Sequence, residues 1–531
     1  MYAGGPENQI SRRNLLVTGM SLAAFTAASM VQGCGSENFQ SVLAPTGNPN
    51  LPDNPGPAGP APVPPAFIQP VVISSVGTTL STTLTTQLTV GKTVGVTPVV
   101  LRSYNGELTG PTLRVKPGDK LRILLSNKLP VNPDDPLPMN FNLNTPHEPN
   151  TTNLHTHGLH VSPQNNSDNI FVEIPPNPPT GTDFQYEYNI PADHPPGTMW
   201  YHPHKHGSSS TQLFSSMAGA LIIEGGLDDV PEIKQARDLV YLITEVNLDN
   251  NMPAQVPLWL GAMQAPFPLT QRKLLVNGTR VPTLSAFSGE VVRLRVINGT
   301  TRTAVPFQIV GHTLNVISLD GIALPSIRKT ASIVIPPAGR ADVLIQCGAA
   351  GNYDIQKGLD DSVGTPDPLE AIGQLTVLPN QVFMNLPKVL PPQPYANITT
   401  QELTTAGVAQ TLTFAQAGGQ FPINGVLFNK NVVNISVPLN AVQEWVLINT
   451  SPNGHPFHIH VNPFMVMSIT PGGGVETPLP EPEWHDTINI PKNGGMVRFR
   501  TRFEDFRGMF VLHCHILVHE DLGMMQVVEV T

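Results

Sequence analysis

The segment His513-Cys514-His515-Ile516-Leu517-Val518-His519-Glu520-Asp521-Leu522-Gly523-Met524 places a thiol, three imidazoles and a thioether within one short stretch. That ligand set suits copper better than any other common metal. On an extended strand Cys514 points to one face while His513 and His515 point to the other. A copper on the Cys face would be joined through two short peptide links to metals on the His face, an arrangement for moving electrons between metal sites.

A Cys with two His and a weak axial Met describes a blue-copper electron-transfer site. Cys514, His519 and Met524 supply three of these ligands at intervals of five and five residues, around a loop closing beneath the strand. The second His must come from elsewhere, and the chain offers His455-Pro456-Phe457-His458-Ile459-His460, where His455 sits apart behind a Pro. Two more pairs lie upstream, His155-Thr156-His157-Gly158 and His202-Pro203-His204. Their i, i+2 spacing puts both rings of a pair on one face of an extended chain. Beyond the blue site, eight imidazoles in four pairs remain. They are enough for three further coppers with room for oxygen species.

With these four motifs, and over the body of the chain from about Phe67 to Thr531, the sequence resembles the multicopper oxidases, a family that includes the laccases. The resemblance implies a type 1 copper on His455, Cys514, His519 and axial Met524. It implies a type 2 copper on His155 and His458, and a type 3 pair on His157, His202, His204, His460, His513 and His515. Four copper ions are therefore expected. No ligand is missing, which argues against a copper-free structural relative. Glu520 matches the proton-relay acid of similar bacterial oxidases by position, and Asp168, in the loop after the first His pair, is a second catalytic candidate.

The elements that must bring these residues together are read from composition and repeats. Pro and Gly are abundant (56 and 45 of 531 residues), and Val, Thr and Ile runs recur at short spacing, as in an all-β protein of sandwiches or barrels. Tyr104-Asn105-Gly106 leads to a strand ending at Asn127, Val276-Asn277-Gly278 to one ending at Asn298, and Ile423-Asn424-Gly425 to one ending at Asn449. Three copies of one β unit imply three domains, which in the family are cupredoxin-like Greek-key β-sandwiches; we expect them at 67–226, 232–378 and 395–531. Val292, Leu294 and Val296 alternate with Arg293 and Arg295, the pattern of a half-buried strand. The ligand pairs fall in the first and third domains only, so the third must fold back onto the first, with the second as a spacer.

Residues 1–34 resemble a twin-arginine export signal, with Arg12-Arg13 heading the apolar stretch Leu15–Val31 and a lipoprotein-like site at Cys34. Residues 35–66 read as a Pro-rich linker able to tether a lipid anchor. The protein is expected to be exported, periplasmic or at the cell surface, and monomeric. Charged residues are only 13%, with a formal charge of −10, and no basic patch recommends nucleic acid. Cys347 has no partner for a disulfide and reads as a buried apolar filler.

The expected partners are dioxygen and a small-molecule or metal-ion reductant, with single electrons arriving through whichever of His455 and His519 reaches the surface. Phenols are the default reductants. The rivals are a metallo-oxidase acting on cuprous or manganous ion and a copper electron carrier without oxidase turnover. Cuprous oxidases of the family tend to carry a Met-rich insertion and an acid just before the first type 1 His; here Ser451-Pro452-Asn453-Gly454 precedes His455 and the Met residues are scattered, so the resemblance favours organic substrates. His147, His160, His194, His206, His312 and His485 read as structural. Glu481, Glu483, Trp484 and Asp486 read as a polar loop that could border the substrate entrance.

Overall fold

Each Asn-Gly pair of the repeat closes a hairpin in which both residues have positive φ: 58° and 77° at Asn105-Gly106, 50° and 76° at Asn277-Gly278, 52° and 74° at Asn424-Gly425. Asn and Gly tolerate this geometry, and its twist matches that of paired strands. Each turn Asn also accepts a backbone N–H from an earlier strand, at 2.8, 3.0 and 2.7 Å from Thr85, Leu242 and Thr413. The strands that follow end on buried Asn127, Asn298 and Asn449. Each of these amides donates to two carbonyls; those of Asn298 lie on Thr303 and Ile335, both at 2.9 Å. Each side-chain oxygen accepts two further bonds, so the three latches are alike.

The computed structural model describes residues 64–531 apart from 134–135, 250–251, 254–271 and 363–365. The expected export signal, Cys34 and the linker up to residue 63 lie outside the described residues. Three two-sheet sandwiches of the cupredoxin-like Greek-key kind follow one another. In the first, Arg102–Tyr104, Thr79–Leu88, Lys120–Asn127 and Thr182–Asn189 face Val72–Ser74, Thr112–Val115, Gly219–Ile223, Gly197–His202 and His155–His157. The second sets a sheet built on Arg237–Asp249 and Val291–Asn298 against one built on Glu370–Gln381 and Gly351–Lys357. In the third, one sheet centres on Ala441–Asn449 and Gly495–Phe503; the other orders Val433–Val437, Met525–Val530, Gly508–Cys514, His455–Ile459 and Thr487–Ile490. In every copy the strand ending on the latch Asn runs parallel to an earlier strand, Thr79–Leu88, Arg237–Asp249 or Val408–Phe414.

Each sandwich encloses its own apolar core, around Leu84 and Ile123, around Phe307 and Val316, and around Trp445 and Phe499. Every such buried side chain stabilises by roughly 1.5–3 kcal/mol. A further cluster joins Trp200 and Ile222 of the first sandwich, Val240 and Ile297 of the second and Leu517 of the third. First and second sandwiches touch so closely that a Cβ on Gly197 would lie 1.9 Å from the Gly321 carbonyl oxygen. Phe67, expected to open the first sandwich, stacks on Tyr241 in the second.

The strand Val291–Asn298 is buried along its whole length and not on one face alone. Arg293 and Arg295 are neutralised by Asp228, in the turn that leads into the second sandwich, and by Asp238 and Asp342 on their own neighbouring strands, and Arg295 also donates to Thr198 Oγ1 of the first sandwich at 3.0 Å. Their alternation with Val and Leu is real, but a second body covers the polar face. Cys347 lies in the second core as expected, and burial pushes its thiol up to about 11.

Candidate metal centre

Gly508–Cys514 pairs antiparallel with His455–Ile459, setting Phe457 opposite Cys514 and His458 opposite His513. Directly opposed residues share a face, so the thiol lies on one side of the sheet and the two imidazoles on the other. The short helix Leu517–Asp521 then brings His519 back to the thiol side. Cys514 Sγ lies 3.3 Å from His455 Nδ1 and 3.7 Å from His519 Nδ1, and the two nitrogens are 3.3 Å apart. Met524 is buried in the same apolar cluster, and its carbonyl accepts the Cys514 N–H at 3.1 Å. Burial pushes the Cys514 thiol well up, lowers His455 to about 3 and holds His519 well below the usual histidine range. A thiolate can form there only when a bound cation replaces its proton.

The thiol side is not equally open. His455 is fully buried and its Nε2 lies 2.7 Å from Ser451 Oγ. His519 keeps 9% of its surface exposed and carries Phe421 stacked on its ring at 3.9 Å. Of the two residues expected to face a donor, only His519 keeps any exposed surface.

On the opposite side eight imidazoles from the first and third sandwiches converge. His155 stacks on His460 at 3.8 Å and His157 on His458 at 3.7 Å. His204 Nε2 lies 3.1 Å from His513 Nε2 and 3.2 Å from His460 Nε2. Groups able to hold an ion form at His155, His157 and His202; at His155, His458 and His460; and at His204, His460 and His513. Several rings are fixed by an oxygen on their outer nitrogen: His155 Nδ1 by Asp168 at 2.9 Å, His202 Nδ1 by the Pro203 carbonyl at 3.0 Å, and His458 Nδ1 by the Asp486 carbonyl at 2.8 Å. His157 Nε2 lies 3.2 Å from Asp486 and 3.1 Å from Thr487.

Other ring nitrogens of the cluster are left over. Nε2 of His155, His202 and His458, Nδ1 of His157 and His460, and both nitrogens of His515 are buried without a hydrogen-bond partner. Burial, and then the neighbouring imidazoles, hold these rings well below the usual histidine range. Neutral imidazoles with unused buried lone pairs are the ligand form. A thiol with two imidazoles on one face and these eight on the other fit copper.

Both candidate acids border the cluster. Asp168 bonds to His155 and accepts from Thr156 N and Oγ1 at 2.8 and 3.0 Å; burial raises its carboxyl to about 7. Glu520 lies 3.4 Å from His204 Nδ1 and 3.1 Å from His513 Nδ1, and accepts from Ser209 Oγ at 2.8 Å. Burial raises Glu520 too, and lifts the adjacent Asp521 to about 6. Asp521 accepts from Ser210 N, Ser210 Oγ and Gly207 N and lies 2.8 Å from Ser209 Oγ, tying the short helix to the first sandwich.

Ser451, Phe421, Trp200 and Asp521 were not singled out by sequence reasoning. Trp200 stacks on His202 at 4.2 Å. Its signal was available, since it stands two residues before His202 on a strand. Glu481 to Asp486 form no loop at an entrance: Pro478–His485 is a strand, and Asp486 is buried against His157. The second sandwich is more than a spacer, because its Arg340 bonds Asp486 and its Thr301 carbonyl accepts the Leu517 N–H at 3.0 Å. The six remaining His join none of the metal-competent groups found among the described residues. His160 ties the first sandwich to the third through the Val461 carbonyl and Asp505, and His485 bonds Asp320 of the second.

Comparison with known proteins agrees with this geometry. Multicopper oxidase family models match residues 139–227, 244–375 and 395–531. The multicopper oxidase mco of Staphylococcus haemolyticus (strain JCSC1435) is 26% identical over 444 residues, spanning 81% of this chain and 83% of that protein. A laccase of Bacillus subtilis (strain 168) is 26% identical, spanning 82% and 91%. The solved multicopper oxidase from Campylobacter jejuni superposes with a TM-score of 0.69 at 25% identity, covering 88% of this chain and 96% of that one. The buried clusters match the type 1 and trinuclear copper sites such proteins require. The chain belongs to the multicopper oxidase family and is a laccase-like, copper-dependent oxidoreductase.

Proposed function

We propose that the chain oxidises a small organic reductant, phenolic or otherwise aromatic, one electron at a time and reduces dioxygen to water. The observation that carries this reading is the two-sided strand end, with Cys514 beside His455 and His519 on one face and His513 among eight imidazoles on the other. In this reading His455, Cys514, His519 and Met524 would hold the type 1 copper. His155 and His458 would hold the type 2 ion; His157, His202, His204, His460, His513 and His515 would hold the type 3 pair. When bound, copper supplies the one-electron steps and the four-electron reduction of dioxygen to two waters.

The chain's own residues do the rest. His519, stacked on Phe421, keeps a small exposed surface, and there we place the approach of a flat donor. Cys514 is joined covalently to both His513 and His515, the shortest connection between the two faces. Asp168 orients His155 by holding its Nδ1. Glu520, whose carboxyl is raised by burial, lies beside His204 and His513 and is the acid we assign to oxygen reduction. The flanking limits we assign to the three sandwiches are 67–226, 232–378 and 395–531, and the Arg12-Arg13 segment supports export to the periplasm or cell surface.

A metallo-oxidase is the second reading, since the Campylobacter jejuni protein is described as one. Copper-loaded protein should be blue and should consume oxygen faster with a phenol than with cuprous or manganous ion. The reverse order would establish the metallo-oxidase, and a blue protein consuming no oxygen with any donor would establish a carrier.

A further inference from the structure

We infer that Arg340, contributed by the second sandwich, is a positioning residue for the eight-histidine copper centre: its guanidinium fixes Asp486, and Asp486 fixes His157 and His458. The inference rests on the assignment of those histidines to copper.

Arg340 meets Asp486 fork to fork, Nη1 to Oδ1 and Nη2 to Oδ2, both at 2.6 Å. Paired parallel bonds of this kind set the angle of a carboxylate as well as its place. Asp486 Oδ1 then lies 3.2 Å from His157 Nε2, and the Asp486 carbonyl accepts from His458 Nδ1 at 2.8 Å. One residue thus holds two stacked rings by their outer nitrogens. His157 Nδ1 and His458 Nε2 are the nitrogens left unbonded.

The other guanidinium donors reach the Thr198 carbonyl at 3.2 Å, the Ala338 carbonyl at 3.3 Å and the Asp320 carbonyl at 2.8 Å. First, second and third sandwiches therefore grip one cation that has no exposed surface. Gly158 supplies independent support. A Cβ there would lie 2.6 Å from Arg340 Nη2, 2.6 Å from Met199 Sδ and 3.1 Å from Asp486 Oδ2. The Gly that closes the His155-Thr156-His157-Gly158 motif leaves the room in which the pair sits. Lys could keep the charge but not span both carboxylate oxygens.

The test is a chelator titration of copper-loaded wild type, Arg340→Met and Arg340→Lys. Total copper and the blue absorbance of the Cys514 site are followed together, with apo-protein melting recorded alongside. Loss of an outer partner to a ligating His weakens metal binding about 10- to 100-fold. We expect Arg340→Met to release the histidine-bound coppers at about tenfold lower chelator concentration while the blue band persists. Arg340→Lys should fall between Met and wild type, and it decides the matter if the Met variant does not fold. Wild-type release of the histidine coppers from both variants would overturn the inference. So would parallel loss of the blue band, because a merely structural role would weaken both sites alike. Wild type lacking copper beyond the blue site would instead refute the ligand assignment.

Discussion

Ser451 Oγ lies 2.7 Å from His455 Nε2 and 2.7 Å from Asn449 Oδ1, so the third latch of the repeat braces a ring beside Cys514. The hydroxyl accepts from the imidazole and so makes its inner nitrogen a stronger donor. In Ser451→Ala that support is lost. The reduction potential of the blue centre should rise, and its copper should leave about tenfold more readily. A redox titration followed at the blue band checks this, and an unmoved potential would remove Ser451 from the account.

Asn298 and Asn449 make the same four bonds in different sandwiches, but only Asn449 reaches a candidate copper ligand, through Ser451. Replacing either by Ala leaves buried backbone groups unpaired and should cost about 2–4 kcal/mol. Denaturant melts of the apo proteins should therefore show similar losses. Only Asn449→Ala should also change the blue spectrum, and a spectral change in Asn298→Ala would contradict the assignment.

Glu520→Gln keeps the shape and the Ser209 contact while removing the transferable proton. Oxygen uptake should fall about 100-fold or more, with the blue colour retained. Stopped-flow reoxidation of the fully reduced protein isolates that step, and a wild-type rate would rule Glu520 out as the acid.

His485 gives the fold a pH dependence of its own. Burial alone would lower it, but a hydrogen bond to Asp320 and the nearby Glu483 carboxylate raise it to about 9. The folded value exceeds the ordinary one near 6.5. Its contribution is therefore complete below about pH 6.5 and is lost as pH rises through about 9, with a size of about 3 kcal/mol. Wild-type apo protein should lose stability over that range relative to His485→Gln. Equal slopes for the two would show that His485 does not carry the charge.

Much of the centre was legible because it obeys local periods. His513, Cys514 and His515 alternate about a strand, and the i, i+2 pairs share faces wherever that strand lies. The three Asn-Gly turns announced three copies because turn chemistry is local. Arg293 and Arg295 were misread for the opposite reason. Alternation says which face is polar, and it cannot say that Asp228, Asp238 and Asp342 will cover that face. Asp486 looked like part of a polar loop because its partner Arg340 stands 146 residues away. Long-range ion pairs leave no period in the chain. Ser451 was hidden in a short turn whose hydroxyl acquires meaning only once His455 is seen against it.

The threefold latch has a consequence for experiment. The second sandwich repeats the turn, the parallel strand and the buried amide, with Thr300 bonded to Asn298 as Ser451 is to Asn449, yet none of the twelve expected ligands lies in it. The Asn298 latch, which bonds to none of those ligands, is thus a reference for the Asn449 latch: the same substitution made at each separates what the scaffold feels from what the copper feels, within one polypeptide.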